Sequence, residues 1–145
     1  MIYLAGSCAS EQRSLMMKVL AFLRGRGEDV YVPFELKIPN AWDMPQEAWS
    51  NKVFENDIAA IDKANIVVLI SPGRIGSAGT NWEQGYAYAK GKKVFVFQYT
   101  NQATSVMTYS GSTIFVNTNE ESIIHELARV FDGELGKGTC STILT

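Results

Sequence analysis

The sequence predicts a single-domain, doubly wound α/β fold, with a five-stranded parallel sheet and helices on both faces. Two observations predict it. Strand-like and helix-like segments alternate along the whole chain, which is typical of parallel sheets with helical crossovers. The segment 65–71 is continuously apolar, as a strand buried on both faces would be. A chain of 145 residues, of which 46% are hydrophobic, can bury one core without disulfides.

Each element follows from a local pattern. The strand patterns are short apolar runs at residues 2–6, 29–32, 65–71, 93–98 and 113–116. The helix patterns have apolar residues at helical spacing and cover residues 10–26, 48–63, 80–90 and 120–131, with a shorter pattern at 102–109. Ser10 is the candidate N-cap of the first helix, and Gly25 and Gly27 end it. This order predicts a flavodoxin-like or Rossmann-like sheet.

In such sheets ligands bind at the carboxyl ends of the strands, near the switch in strand order. The loops 6–9, 33–47 and 71–79 follow the first three strand patterns, so we expect a site among them. The domain is predicted to cover residues 1–132. The glycine-rich residues 133–145 are predicted to form a flexible C-terminal tail.

Composition narrows the function classes. Thirteen Lys+Arg against fifteen Asp+Glu give a net charge of −2 without a basic cluster, so long nucleic acid is not the expected partner. No apolar run reaches the roughly 18 residues of a membrane span, and the first residues lack the basic region of a signal peptide. We therefore expect a soluble cytoplasmic protein that does not bind membranes.

The chain has few residues suited to metal binding. Cys8 and Cys140 lie near opposite ends, and His125 is the single histidine, inside an ordinary helical pattern. A zinc site of the usual Cys/His type cannot be assembled at this spacing. We expect no metal and no organic cofactor, and catalysis that uses carboxylates.

Asp57 is one carboxylate in an unexpected place. With 100° per residue, it falls in the middle of the apolar arc of helix 48–63, whereas Glu55 and Asp62 fall on the opposite face. An unpaired buried carboxylate is costly, so Asp57 needs a partner, a raised pKa or a cavity. A structural role, in which Asp57 bonds a nearby loop, explains the position equally well.

Glu83 is the second carboxylate in an unexpected place. It is the only charged residue from Ile75 to Ala89 and lies beside Trp82 and Tyr86. One interpretation is a capping box, because Thr80 and Glu83 match T-x-x-E. The other is a functional carboxylate near a helix N-terminus at the carboxyl edge of the sheet.

Two further features are ambiguous. Gly73, Gly76 and Gly79 precede a helix N-terminus that could bind an anion, although the spacing is not that of a phosphate-binding motif and a flexible turn is as good an explanation. Trp42 and Trp49 flank the long second loop and could stack on a base. Helical spacing favours Trp49 as a core residue and leaves Trp42 as the better stacking candidate.

Five segments form a recognisable combination: IYLAG at 2–6, ND at 56–57, ANIVV at 64–68, GTNWEQGYA at 79–87 and KGKKV at 90–94. In this combination the chain resembles the nucleoside 2-deoxyribosyltransferase family, and the resemblance extends from Ile2 to about Phe131. The family cleaves the N-glycosidic bond of nucleosides or nucleotides. The resemblance implies that Glu83 is a nucleophile that forms a glycosyl-enzyme intermediate, that Asp57 holds the sugar or handles the proton near the base, and that Tyr3 orients Glu83.

The resemblance is greater to the branch that hydrolyses nucleoside 5′-monophosphates than to the transferases. Ser77 stands where transferases usually have an aspartate near the base, and the hydrolases use a serine there near the phosphate. Ser105, two residues before Met107, stands where transferases usually have an asparagine. Gly6 and Ser7 resemble the hydrolases' Gly-Ser.

One departure concerns the phosphate. The hydrolases have an arginine in the first loop, whereas this chain has Cys8 and Ala9 near that place. Arg13 and Arg74 are candidates to replace it. A serine at position 77 suits a phosphate, which an aspartate would repel.

The resemblance also implies that Ser105 and Met107 complete the site of an adjacent subunit, so we expect a homodimer or a higher homo-oligomer with shared active sites. Gly6, Ser7, Ser77, Gly79 and Trp42 are the other expected substrate-binding residues. Two alternatives to the hydrolase stay open: a deoxyribosyltransferase that exchanges bases between deoxynucleosides, and a non-catalytic nucleotide-binding module.

Overall fold

The protein is described by a computed structural model that covers residues 1–7, 9–140 and 142–145. Its strands are β1 (Ile2–Ala5), β2 (Val30–Tyr31), β3 (Ile66–Ser71), β4 (Lys93–Gln98), β5 (Thr104–Ser105), β6 (Ile114–Asn117) and β7 (Ile143–Leu144). Its helices are α1 (Ser10–Gly25), α2 (Gln46–Lys63), α3 (Ala78–Ala89), α4 (Val106–Ser110) and α5 (Ile123–Phe131). Cys8, near the expected place of the first-loop arginine, lies outside the described residues.

A five-stranded parallel sheet forms the centre of the molecule, in the order β2-β1-β3-β4-β6. This confirms the predicted fold class. The chain passes from β1 to β2 on one side and then returns to place β3 on the other side of β1. The strand order therefore reverses between β1 and β3, which is where parallel sheets open a crevice for ligands.

Helices cover both faces of this sheet and divide the core into two layers. Side chains alternate along β1, so Leu4 packs towards α1 and α5, whereas Tyr3 and Ala5 face α2 and α3. Tyr3, Leu4 and Ala5 are all fully buried. The residues on the α2 and α3 side of β1 are therefore the ones that can contact Asp57 and Glu83.

The C-terminal residues contact the domain. The Gly138 amide donates to the Phe115 carbonyl at 2.8 Å, and the Tyr109 hydroxyl donates to the Gly138 carbonyl at 2.8 Å. The short strand β7 pairs in parallel with β5. This two-stranded sheet is not predicted from the sequence, because strands of two residues carry no readable periodicity. Among the described residues, no helix is both long enough and apolar enough to cross a membrane.

Candidate active site

A pocket of about 920 Å³ opens at the carboxyl edge of the sheet, beside the reversal in strand order. Its walls come from residues 6–7 after β1, the connection 33–41, helix α2 and the start of α3. The volume falls within the ~300–1,000 Å³ that is typical of small-molecule sites. Asp57 and Glu83, the two carboxylates singled out by the sequence, both line it.

Two tyrosines of the sheet hold these carboxylates. Tyr3 and Tyr31 are register partners in the parallel pair of β1 and β2, so they point to the same face of the sheet. Their rings stack with centroids 5.4 Å apart and planes inclined by 21°. The Tyr3 hydroxyl donates to Glu83 Oε2, and the Tyr31 hydroxyl donates to Asp57 Oδ1 at 2.8 Å. The register of β1 and β2 thus positions both carboxylates.

Glu83 is largely withdrawn from water. Burial raises its pKa from the usual 4.5 to about 7; the Tyr3 hydrogen bond opposes this, and the nearby Asp57 adds to it. The Tyr3 contact is the one that the resemblance implies. A carboxylate whose pKa lies near neutral pH inside a pocket is a strong candidate for a chemical role.

Asp57 is half-buried. It has a hydrogen-bond partner, a raised pKa and a place on the wall of a cavity, the three features by which a carboxylate on the apolar face of α2 can be accommodated. Burial raises its pKa, and the hydrogen bond from Tyr31 opposes that rise. Glu55 and Asp62 are exposed on the other face of the helix, as predicted. The hydroxyl-carboxylate bond favours the ionised form of Asp57, whereas burial favours the neutral one.

The start of α3 differs from the predicted one. The helix begins at Ala78 rather than Thr80, and Ser77 is its N-cap, since the Ser77 Oγ accepts from the Thr80 amide at 3.2 Å. The capping-box interpretation is therefore wrong for Glu83, because its carboxylate accepts a hydrogen bond from the Tyr3 hydroxyl of β1. Ser77, Ala78 and Gly79 line the pocket with small side chains, which leaves the first amides of α3 accessible from it.

The structure places some of the expected binding residues in the pocket wall and others outside it. Gly6 and Ser7 line the pocket with Ser77 and Gly79. At Gly6 an added Cβ would lie 2.5 Å from the Met16 Sδ, so the flexible Met16 side chain of α1 would have to shift.

The two tryptophans are placed the other way round from the prediction. Trp49 lines the pocket and is 41% exposed, whereas Trp42 is 85% exposed and is not part of the pocket wall. The physical reason is local. Asn40 has a left-handed backbone with φ of 58°, and it starts a single 3-10 turn, Ala41–Asp43, that directs Trp42 outwards.

Ser105 and Met107 lie outside the pocket of their own chain. The Ser105 Oγ accepts from the Met107 amide at 3.2 Å, and the Met107 side chain is 78% exposed. This arrangement leaves Met107 free to contact another molecule, but nothing in a single chain brings it to Glu83.

Two parts of the site are not predicted from the sequence: Tyr31 and the apolar connection 33–41 that follows it. Tyr31 could have been found by aligning the two strand patterns, because parallel neighbours place Tyr3 and Tyr31 side by side. Phe34 lines the pocket and carries the Arg13 guanidinium 5.0 Å above its ring. No lysine or arginine lines the pocket within residues 1–7, 9–140 and 142–145.

The raised pKa of Glu83 has a consequence for stability. Between pH 4.5 and about 7 the folded protein retains a proton on Glu83 that the unfolded chain loses, so this group makes unfolding easier as pH rises. Glu83→Gln is expected to match the wild type near pH 4.5 and to exceed its stability by up to about 3 kcal/mol above pH 7. Urea unfolding at both pH values measures this, with the exposed Glu55→Gln as control. A difference that does not change with pH would contradict it.

Tyr31 is expected to control the titration of Asp57. Tyr31→Phe removes the hydrogen bond that lowers the pKa of Asp57, so that pKa rises further, while the phenyl ring preserves the stack on Tyr3. Carbon-13 NMR titration of the Asp57 carboxyl measures it. Tyr86→Phe is the matched control, because the Tyr86 hydroxyl donates to the exposed Asp62 at 2.7 Å. An unchanged Asp57 titration in Tyr31→Phe would refute the role.

Buried carboxylates, held by neighbouring groups in a pocket at the strand-order reversal, define an enzyme that acts on a small molecule. Comparison with known proteins agrees. The family model described as nucleoside 2-deoxyribosyltransferase matches residues 2–128, and the chain belongs to that family. No curated protein sequence matches the chain.

Solved structures share the fold. A 2-deoxyribosyltransferase from Bacillus psychrosaccharolyticus is 27% identical, with a TM-score of 0.78, over 95% of this chain and 98% of the other. The CMP N-glycosidase BcmB of Clostridium botulinum is 19% identical, with a TM-score of 0.64, over 88% and 97%. A 2-deoxyribosyltransferase from Leishmania mexicana is 18% identical, with a TM-score of 0.53, over 99% and 81%.

Membership of the nucleoside 2-deoxyribosyltransferase family, which acts on small nucleoside or nucleotide substrates, identifies this protein as an enzyme. The alternative of a non-catalytic binding module is accordingly set aside.

Proposed function

We propose that the protein hydrolyses the N-glycosidic bond of a nucleoside 5′-monophosphate, releasing the free base and a sugar 5-phosphate. The observation that carries the choice of hydrolysis is Ser77. It lines the pocket six residues before Glu83, at the N-cap of α3, where it offers a hydroxyl beside helix-start amides. Such groups suit a phosphate, and the helix dipole adds to that preference.

The proposed reaction has two steps. The ionised Glu83 attacks the anomeric carbon and forms an ester as the carbon-nitrogen bond breaks, and Asp57 gives its proton to the departing base. Water then attacks the same carbon, Asp57 takes a proton from that water, and the ester bond breaks to restore the Glu83 carboxylate. The two displacements on one carbon retain its configuration.

The geometry supports these roles. Burial raises the pKa of both carboxyl groups, and Tyr3 and Tyr31 hold each in a fixed position. Tyr3 favours the ionised form of Glu83, which the attack requires. Tyr3 and Tyr31 act as positioning residues in this scheme.

The second candidate is a deoxyribosyltransferase that passes the sugar from one base to another. The pocket wall contains no lysine or arginine among the described residues, which favours an uncharged nucleoside over a phosphate. The 27% identity with the Bacillus psychrosaccharolyticus transferase over nearly the full chain also favours it.

Product analysis separates the two candidates. The protein is incubated with each nucleoside 5′-monophosphate and each nucleoside, in the ribo and 2′-deoxy forms, with and without a second free base. Free base that forms from monophosphates without an acceptor supports the hydrolase. A new nucleoside that forms only when an acceptor is present supports the transferase and overturns the first proposal.

Ser77→Asp tests the phosphate assignment directly. Aspartate is as good an N-cap as serine, so α3 is expected to retain its stability. The added charge would repel a bound phosphate, so kcat/KM for monophosphates is expected to fall about 10²-fold relative to nucleosides. Ser122→Asp, at the N-cap of α5 and outside the pocket lining, is the comparison for general charge effects. An unchanged monophosphate-to-nucleoside ratio in Ser77→Asp would contradict the assignment.

We also propose that the enzyme is at least a homodimer, in which Ser105 and Met107 of one chain border the site of the next. The 78% exposure of the Met107 side chain supports this, since a large apolar group so exposed is suited to an interface. Analytical ultracentrifugation tests it: a wild-type dimer that dissociates in Met107→Glu supports the proposal, and a monomeric wild type overturns it.

A further inference from the structure

The connection between β2 and α2 forms an apolar wall of the pocket. Five of its residues face the cavity: Pro33, Phe34, Leu36, Ile38 and Ala41. None has a side-chain hydrogen-bonding group. The polar side chains between them point elsewhere: Glu35 pairs with Arg24 at 2.6 Å, and Lys37 is exposed.

Burial alternates along this segment. Phe34, Leu36 and Ile38 are half-buried, whereas Glu35 and Lys37 are exposed. A connection with an apolar face normally covers the core, but this face lines an open cavity. Its side chains therefore contact the cavity, although Phe34 also packs against the core and under the Arg13 guanidinium.

The opposite parts of the wall supply the polar groups. Asp57, Ser77 and Glu83 come from α2 and the start of α3, and they are assigned above to proton transfer with the base, to the phosphate and to the reacting bond. The 33–41 wall is left to face the part of the base that Asp57 does not contact. Apart from Ser50, the exposed α2 residues of the pocket lining, Trp49 and Phe54, are also apolar.

An unmodified base has a polar edge that needs hydrogen-bond partners when water is removed. The 33–41 side chains offer it none. A hydrocarbon group would instead gain from burial against them. The cavity of about 920 Å³ lies near the upper end of the range for drug-sized ligands, so it has room for an additional group.

We propose that the substrate's base carries a bulky apolar substituent, an alkyl or aryl group, which packs against Phe34, Leu36 and Ile38. This rests on the proposed N-glycosidic cleavage and names the substrate class of the same site. It assigns to these three side chains the selection of the base.

Matched substrate pairs test it. Adenine is compared with N6-benzyladenine, and uracil with 5-phenyluracil, each as the 2′-deoxynucleoside and its 5′-monophosphate. We expect kcat/KM to be at least about tenfold higher for the substituted member of a pair. Equal or lower values for both substituted bases would overturn the proposal.

Variants locate the effect. Leu36→Asn places a polar group in the wall and is expected to abolish the preference. Lys37→Asn, the adjacent exposed residue on the other face, is the matched control and is expected to preserve it. A preference that survives in Leu36→Asn and in Ile38→Asn would overturn the assignment to this wall. So would a wall that is covered by a second chain and leaves no room for the substituent.

Binding separates this proposal from the cleavage itself. Calorimetric titration with free N6-benzyladenine and free adenine needs no turnover. If no substrate is cleaved but N6-benzyladenine binds at least about tenfold more tightly, the reaction fails and the wall's selectivity stands. If substrates are cleaved and the two bases bind equally, the reaction stands and the proposal about the substituent fails.

Discussion

Glu83→Gln is expected to reduce kcat by about 10⁴-fold or more, with the protein still folded. Glutamine preserves the shape of the side chain and can still accept the Tyr3 hydrogen bond, but its neutral amide cannot form the ester. The loss therefore reports on the chemical step. It is measured by chromatography of base release under saturating substrate.

Two observations make this test specific. In the wild type, an acid quench followed by mass spectrometry is expected to find the sugar on the peptide that contains Glu83. Because the pKa of Glu83 is about 7, kcat/KM of the wild type is also expected to fall as pH drops below that value. Activity that persists undiminished in Glu83→Gln would remove Glu83 as the nucleophile, whereas Glu55→Gln on the exposed face of α2 should change nothing.

Asp57→Asn is expected to reduce kcat by about 10²- to 10⁴-fold, since asparagine cannot transfer a proton to the base or from water. Asp62→Asn is the matched control. It lies on the same helix and also accepts a tyrosine hydroxyl, from Tyr86 at 2.7 Å, but it is exposed and outside the pocket. The control should retain full activity.

A change of leaving group distinguishes proton transfer from a purely structural role of Asp57. In a 7-methylguanine nucleotide the base is positively charged, so it departs as a neutral molecule without a proton from the enzyme. Its 5′-monophosphate is expected to restore much of the base-release rate in Asp57→Asn and none of it in Glu83→Gln. Equal losses for charged and ordinary bases would mean that Asp57 holds the sugar instead of acting as an acid.

The sequence predicted the parts of the site that have a regular period. Asp57 was visible because a carboxylate interrupts the apolar face of a helix, and Glu83 because it is the lone charge in a long apolar stretch. The parallel sheet with helices on both faces followed from the alternation of elements. These signals are local, and the structure retains them.

Other parts depend on contacts between distant residues or on turns. Tyr31 matters because of its register with Tyr3, which no single segment shows. The helix α3 begins at Ala78 instead of the predicted Thr80 because the Ser77 side chain caps it. Trp42 turned outwards because Asn40 adopts a left-handed backbone, which the residue type permits but does not require.

The two tyrosines belong to strands that are held in the sheet to very different extents. Tyr3 lies in β1, which is paired on both sides, whereas Tyr31 lies in β2, a two-residue strand at the edge of the sheet. Edges of this kind open by local fluctuation at far lower free energy than a central strand. Momentary fraying of β2 would therefore release Asp57 while Glu83 stays anchored, so warming would disable proton transfer before it disabled the nucleophile or unfolded the domain.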